Sequence, residues 1–261
     1  MSDRSYSAPA LEKGIEIIEF LSSRAEPATQ KEIAAALGRT PSEIFRMLVV
    51  LVERGFVLRG NDERFSLSLR LLSLAQQVPA LERLRAFALP LMRALVQDCW
   101  QSCHIGVEEN GNIVIIEALP SPGHWGLMIR PGAVIGLTNT STGRVLAAFR
   151  DPADADTLYD NHRPAMGEVK ADKGAFRERL IAIRQQGFEI TPSDTTEGVT
   201  NIAFPVLDAD GRAVAVVNCP YLKRLDNLAV PDRDVVIERY QSFASALSAF
   251  SQGRVSARED A

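Results

Sequence analysis

The sequence predicts an α+β chain in two parts, a small winged helix-turn-helix followed by a larger α+β sensor-like domain. Three observations lead there. Residues 1–68 read as three short amphipathic helices and an arginine-bearing hairpin. The later part reads as short β-type runs flanked by helices. Between them lies a leucine-rich helical stretch punctuated by Pro79 and Pro90. With 261 residues, 46% of them apolar and 24% charged, the chain has material for one to two packed domains and is neither disordered nor fibrous throughout.

In residues 11–21, Leu11, Ile15, Ile18 and Leu21 recur every three or four positions with Glu12, Glu16 and Glu19 between them, the pattern of an amphipathic helix. Pro27 and Ala28 interrupt it. Thr29 then suits an N-cap, with Glu32 placed as in a capping box, and Ile33, Ala36 and Leu37 form the apolar side of a second helix closed by Gly38. Thr40 caps a third helix that Pro41 opens and Gly55 stops. Its inner stripe is Ile44, Met47, Leu48 and Leu51. Arg39, Ser42, Glu43 and Arg46, at i, i+3, i+4 and i+7, share an outer side. Residues 56–67 read as two short strands joined by Gly60, Asn61 and Asp62, with Arg59 and Arg64 at the tip.

The leucine-rich stretch divides into a linker helix, 69–85, and the start of a second domain, 86–261, because prolines end or kink helices. Strands are expected at 103–107, 113–119 and 125–129, helices around 143–149 and 174–186, and closing strands at 200–207 and 213–219. Asp208-Ala-Asp-Gly-Arg suits a short hairpin turn that sets Asn201 opposite Asn218. A last helix, 232–250, has Val236, Tyr240, Phe243, Leu247 and Phe250 as its inner stripe.

Lys and Arg total 29 against 33 Asp and Glu, a net charge of −4, so composition excludes a polybasic nucleic-acid binder but not a selective one. The first residues lack the apolar core of a signal peptide, and no apolar run is long enough to span a membrane. Three sparse cysteines, Cys99, Cys103 and Cys219, fit a reducing compartment, so a cytoplasmic protein is expected. Cys99, Cys103 and His104 lack a fourth ligand at metal-site spacing, and no metal or cofactor is expected.

Two candidate sites remain. The third helix can enter a major groove, where Arg39 and Arg46 meet guanine acceptors or phosphates, Ser42 bonds a base or the backbone, and Glu43 accepts from a cytosine amine. A solvated charged face is the plain alternative. In the second domain, Thr138-Asn-Thr-Ser-Thr-Gly143 precedes a helix start that either holds an anion or is ordinarily capped. Asn201 and Asn218 sit in apolar strands, where burying an amide is costly unless neighbouring backbone or a ligand satisfies it. His104 shares that face or is a structural hydrogen-bonder, and Trp125 either shapes the pocket or packs the core. No P-loop, G-x-S-x-G or H-E-x-x-H motif occurs, and His104, His124 and His162 have no evident nucleophile partner, so catalysis is not expected.

Ala34-Ala-Ala-Leu-Gly-Arg-Thr-Pro-Ser-Glu-Ile-Phe-Arg-Met-Leu48 followed by Leu51-Val-Glu-Arg-Gly-Phe-Val57 resembles the DNA-binding domain of the IclR family of bacterial transcriptional regulators. The resemblance continues through Arg130-Pro-Gly132, Thr140-Ser-Thr-Gly-Arg-Val-Leu-Ala-Ala-Phe149, Gln186-Gly-Phe-Glu189, Glu197-Gly-Val-Thr-Asn-Ile-Ala-Phe-Pro-Val206 and Gly211-Arg-Ala-Val-Ala-Val-Val217, nearly the whole chain. It implies a linker helix that helps dimerise and a GAF/profilin-like effector domain with a curved antiparallel sheet, assembled as a homodimer or dimer of dimers. The family's recognition helix maps to Ser42, Glu43, Phe45 and Arg46, with Arg39 and Thr40 in the turn before it. Its effector pocket maps to Thr140, Ser141 and Thr142, then Asn201 and Asn218.

The departures bear on specificity. Pro41-Ser42-Glu43 stands where family members frequently carry Lys-Ser-Thr, Thr138-Asn139 replaces the common His-Ala, and Arg144 replaces Lys. Asn201 stands where Cys is frequent and Asn218 where Ser is, adding amides that suit a polyhydroxylated or sugar-acid-like ligand over a small keto acid. The expected function is a regulator of double-stranded operator DNA, a repressor of a catabolic operon that senses a small organic acid or sugar-acid-like metabolite. The alternatives are a sensor without specific DNA binding and, behind it, a small-molecule enzyme.

Overall fold

The structure is a computed structural model and describes residues 8–124, 126–226 and 228–254. It divides into two compact units, Met1–Pro79 and Ala80–Ala261.

The first unit runs α1 (Pro9–Ser22), β1 (Ala28–Thr29), α2 (Gln30–Ala36), α3 (Pro41–Glu53), β2 (Val57–Arg59), β3 (Arg64–Leu67) and α4 (Arg70–Gln76). The Glu32 carboxylate accepts from the Thr29 backbone N–H at 2.7 Å and its hydroxyl at 3.0 Å, which starts α2 at the cap read from sequence. Gly38 and Gly55 take positive φ values of 61° and 73° where α2 and α3 end. Ile17, Leu21, Ile33, Ile44, Leu48, Val57 and Phe65 close one core. The hairpin forms around the expected turn, and β1 adds a third strand, in the order β1-β3-β2. The inner face of α1 is rotated from the expected stripe: Leu11 and Ile15 are exposed while Ile17 and Leu21 are buried. Periodicity weighs every apolar residue alike, whereas α1 packs chiefly on α3 and β3 within this core.

α5 (Pro79–Cys99) leads into the second unit, which continues β4 (Cys103–Glu109), β5 (Asn112–Leu119), β6 (Val134–Ile135), α6 (Ser141–Ala148), α7 (Pro152–Asn161), α8 (Lys173–Gln186), β7 (Glu189–Pro192), β8 (Thr200–Leu207), β9 (Ala213–Tyr221) and α9 (Arg233–Ser251). The sheet is antiparallel throughout, in the order β6-β5-β4-β9-β8-β7. On one face α5 and α9 bury Ile105, Ile202, Phe204, Val217 and Cys219 with Met92, Tyr240 and Leu247. On the other, α6 lies across β4, β9 and β8 with α8 packed against it.

Four local expectations change. Pro90 does not break the helix: α5 continues through it because Ala88, Met92, Leu95, Val96 and Cys99 are all buried on one side, and their packing outweighs the hydrogen bond that proline removes. Residues 126–129 form no strand and Trp125 lies outside the described residues; the edge strand is β6 instead. α7 was not anticipated, since it buries only Ala155 and Leu158. Asn201 pairs with Pro220, and Asn218 with Ala203, a register two residues from the expected one, because an irregularity at Val206/Leu207 and the wider Asp208–Arg212 turn lengthen the connection. A shift of two keeps each side chain on its original face.

Candidate functional site

On the first unit, Ser42, Phe45, Arg46 and Val49 form the solvent-facing stripe of α3. Glu43 lies beside Ser42 and Arg46 on the exposed side, with its carboxylate engaged, while Arg39 is half-buried in the turn before the helix. Arg39 donates to Glu16 of α1 through Nε at 3.2 Å and Nη2 at 2.9 Å. Glu43 accepts from the Thr40 N–H and hydroxyl, both at 2.8 Å, and meets Lys13 at 3.4 Å. Those Thr40 bonds, backbone first, and Lys13 hold the Glu43 carboxyl down at about 2. Glu43 is thus a helix cap, the use that Thr40 three residues earlier signals in the sequence. At the hairpin, Arg59 pairs with Glu63, and Arg64 donates to the Pro27 carbonyl at 2.9 Å and to Glu32 at 3.2 Å. The exposed apolar pair Phe45 and Val49 belongs to the outward face, and Val49 escaped the sequence reading because apolar helix residues are assigned inward by default.

In the second unit a cavity of about 600 Å³ opens between the start of α6 and one end of β4, β9 and β8. His104, Thr140, Thr142, Asn201 and Asn218 all line it. Ser141 does not: its side chain is buried and accepts from Arg144 at 3.4 Å. The strands set the others in a row. His104 pairs with Asn218 across β4 and β9, so the Asn218 amide nitrogen lies 3.2 Å from His104 Nε2 and donates to Asn201 Oδ1 at 3.3 Å. Thr142 Oγ1 is 3.3 Å from the same ring nitrogen. Burial holds the His104 imidazole down at about 4, which leaves it neutral in ordinary buffer.

Two glycines let α6 approach this row. A Cβ on Gly143 would fall 2.7 Å from Leu137 Cα and 2.8 Å from the Gly136 carbonyl, and one on Gly106 would fall 2.5 Å from Thr142 Cγ2. Thr140 caps the helix by accepting from Gly143 N–H at 3.1 Å.

Asn139, from the Thr138–Gly143 run singled out in the sequence, lines the cavity as well, and so do Glu168, Asp194 and an apolar wall that includes Leu127, Ile129 and Ile135, which the sequence does not assign to it. Glu168 is fully engaged: it accepts from Thr138 N–H at 2.9 Å, the Thr138 hydroxyl at 2.8 Å, Ala165 N–H at 3.0 Å and His162 Nε2 at 2.7 Å. Burial raises its pKa, but these bonds outweigh burial and lower it on balance. Asp194 is held by Arg144 at 2.7 Å, and the buried Arg144 guanidinium also binds Glu189 at 3.0 Å and the Thr138 carbonyl at 3.0 Å. Arg144 therefore ties the α6 helix to the 193–196 loop at the cavity mouth. Cys103 and His104 point to opposite faces of β4, and among the described residues no cluster of three or more His, Cys, Asp or Glu is placed to hold a metal. No helix there is long and apolar enough to cross a membrane.

Comparison with known proteins decides the family. The IclR helix-turn-helix domain model matches residues 10–60, and the model for the bacterial transcriptional regulator IclR C-terminal region matches residues 78–249. The chain belongs to the IclR family. The family is one of transcriptional regulators rather than enzymes, binding DNA through the helix-turn-helix and an effector in the C-terminal domain. Among its relatives are the glycerol operon regulatory protein of Streptomyces griseus, 26% identical over 80% of this chain and 82% of that one, and the regulator KdgR of Escherichia coli, 26% identical over 70% and 71%. An IclR homolog from Microbacterium hydrocarbonoxydans, solved with 4-hydroxybenzoate, has 21% identity and a TM-score of 0.74 over 93% of this chain and 98% of that one. The Thermotoga maritima IclR has 21% identity and a TM-score of 0.69 over 92% and 98%. These two share the fold.

Proposed function

We propose that this IclR-family regulator represses a catabolic operon, gripping operator DNA as a homodimer or dimer of dimers and releasing it when a small organic acid or sugar-acid-like metabolite fills the cavity. The observation that carries the sensing half is the row His104–Asn218–Asn201, three polar side chains that the sheet brings to the wall of one cavity. Polar groups converging in a largely apolar concavity are the usual make-up of a small-molecule site. For the DNA half, α3 presents Ser42, Phe45 and Arg46 outward, with the hairpin bearing Arg59 and Arg64 beside it. That disposition supports α3 in the major groove and the hairpin along the phosphates. Ligand binding alters DNA affinity only insofar as it favours one arrangement of the DNA-binding heads.

Gel-shift titration of the full chain against duplexes from the intergenic region upstream of its neighbouring operon tests this reading. Arg46→Ala should cost about 1–3 kcal/mol and relax specificity at one operator position. Equal binding by wild type and variant would remove Arg46 from the interface. The ion pairs of Arg39, Arg59 and Arg64 also fit a sensor without specific DNA binding, and absence of any specific shift would favour that second reading.

A further inference from the structure

Among the described residues, three buried side-chain polar atoms have no hydrogen-bond partner, and two of them, Asn139 Oδ1 and Asn218 Oδ1, belong to residues lining this one cavity. Asn218 is only 4% exposed, so water does not compensate it from outside. Its nitrogen is already committed to Asn201 and His104, which leaves the carbonyl oxygen as the free end of the amide. An acceptor left unpaired at such depth costs more than an ordinary hydrogen bond returns, and a ligand hydroxyl removes that cost once a turn of the side chain brings the oxygen, which has almost no accessible surface while the cavity is empty, to the void.

The charges of the lining point the same way. Its acidic side chains are Glu168 and Asp194, each already paired, with His162 and with Arg144. No Lys or Arg lines the cavity, and the nearest guanidinium, Arg144, is spent on Glu189, Asp194 and the Thr138 carbonyl. A carboxylate brought here would lose water without gaining an unpaired cation. The opposite wall, with Leu127, Ile129 and Ile135, offers a surface for C–H groups.

We propose that the effector is a neutral polyol or sugar, whose hydroxyls donate to Asn139 Oδ1 and Asn218 Oδ1 while its carbon skeleton lies on the apolar wall. This rests on the reading of the cavity as the effector site and replaces the acid in that reading with an uncharged molecule. Both amides act as acceptors, so the discriminating feature of the ligand is its donor count.

Calorimetric titration of the full chain tests it, using erythritol, ribitol and D-sorbitol, each beside the aldonate of the same carbon skeleton. At least one polyol should bind saturably and about tenfold more tightly than its aldonate, and Asn139→Ala and Asn218→Ala should each weaken it by about tenfold. Asn139 sits on a loop, so its variant remains informative where loss of the buried Asn218 impairs folding. If an aldonate binds better than its polyol and the asparagine variants weaken it, the neutral-ligand proposal is overturned and the cavity remains the effector site. If no compound binds, or if binding ignores both variants, the cavity reading falls and the proposal falls with it.

Discussion

His104 ties folding to the site through a single proton. In the unfolded chain its imidazole titrates near the ordinary 6.5, and in the fold burial lowers it to about 4. Between those values the unfolded state binds more protons, so the contribution to stability is complete above pH 6.5 and is lost as pH falls toward 4, a difference of roughly 3 kcal/mol. Urea midpoints at pH 7 and pH 4.5 should therefore differ more for wild type than for His104→Gln; parallel shifts in the two proteins would contradict the assignment. The lowered Glu43 and Glu168 act further down, since depressed carboxylates stabilise above pH 4.5 and lose that contribution below it. Gly143 makes a second prediction at this scale. Its neighbours are backbone atoms that cannot swing aside, so Gly143→Ala should cost about 1–3 kcal/mol in urea unfolding, and a cost near zero would mean that α6 does not seat as closely as described.

At the scale of elements, the outward stripe of α3 sets a specificity that charge alone does not. Phe45 is 53% exposed and Val49 38%, and neither closes the core, so their replacement by Ala should leave unfolding nearly unchanged. Apolar side chains on a groove-entering helix contact the thymine methyl group. Selection of bound duplexes from a random pool should enrich thymine at positions where Phe45→Ala loses the enrichment, and replacing those thymines by uracil should weaken wild type by about 1 kcal/mol but not the variant. Identical selected motifs for both proteins would count against the contact. Which elements were readable beforehand follows from the same local physics. Thr29 with Glu32, Thr40 with Pro41, and the glycines at 38 and 55 are self-contained end signals, so the first unit's helices were legible. The rotation of α1, the continuity of α5 through Pro90 and the two-residue register shift of β8 on β9 depend on distant partners, which periodicity does not contain. Five of the six residues expected at the cavity reached it despite that shift, because an even displacement preserves the face, and Ser141 missed it because the turn of α6 directs it to Arg144.

For the whole molecule, placement rather than the sum of charge governs interaction with a polyanion. The net charge is −4, and residues 1–68 carry nine Lys and Arg against ten Asp and Glu. Of the four arginines expected to face the groove, Arg39, Arg59 and Arg64 are paired with Glu16, Glu63 and Glu32, while Arg46 makes no ion pair with any described residue. Each paired arginine must give up a carboxylate before it neutralises a phosphate, so binding to arbitrary DNA gains little from it. Exposed pairs of this kind are weak in themselves, and a well-placed operator phosphate can displace the carboxylate. Glu16→Gln and Glu63→Gln should therefore free Arg39 and Arg59 with little change in stability. In anisotropy titrations against a random duplex, the slope of log K against log salt should steepen by about one for each freed cation per chain, and the ratio of operator to random affinity should fall. An unchanged slope would mean that these arginines reach phosphate with their carboxylates still in place, and that the acidic partners do not hold back non-specific binding.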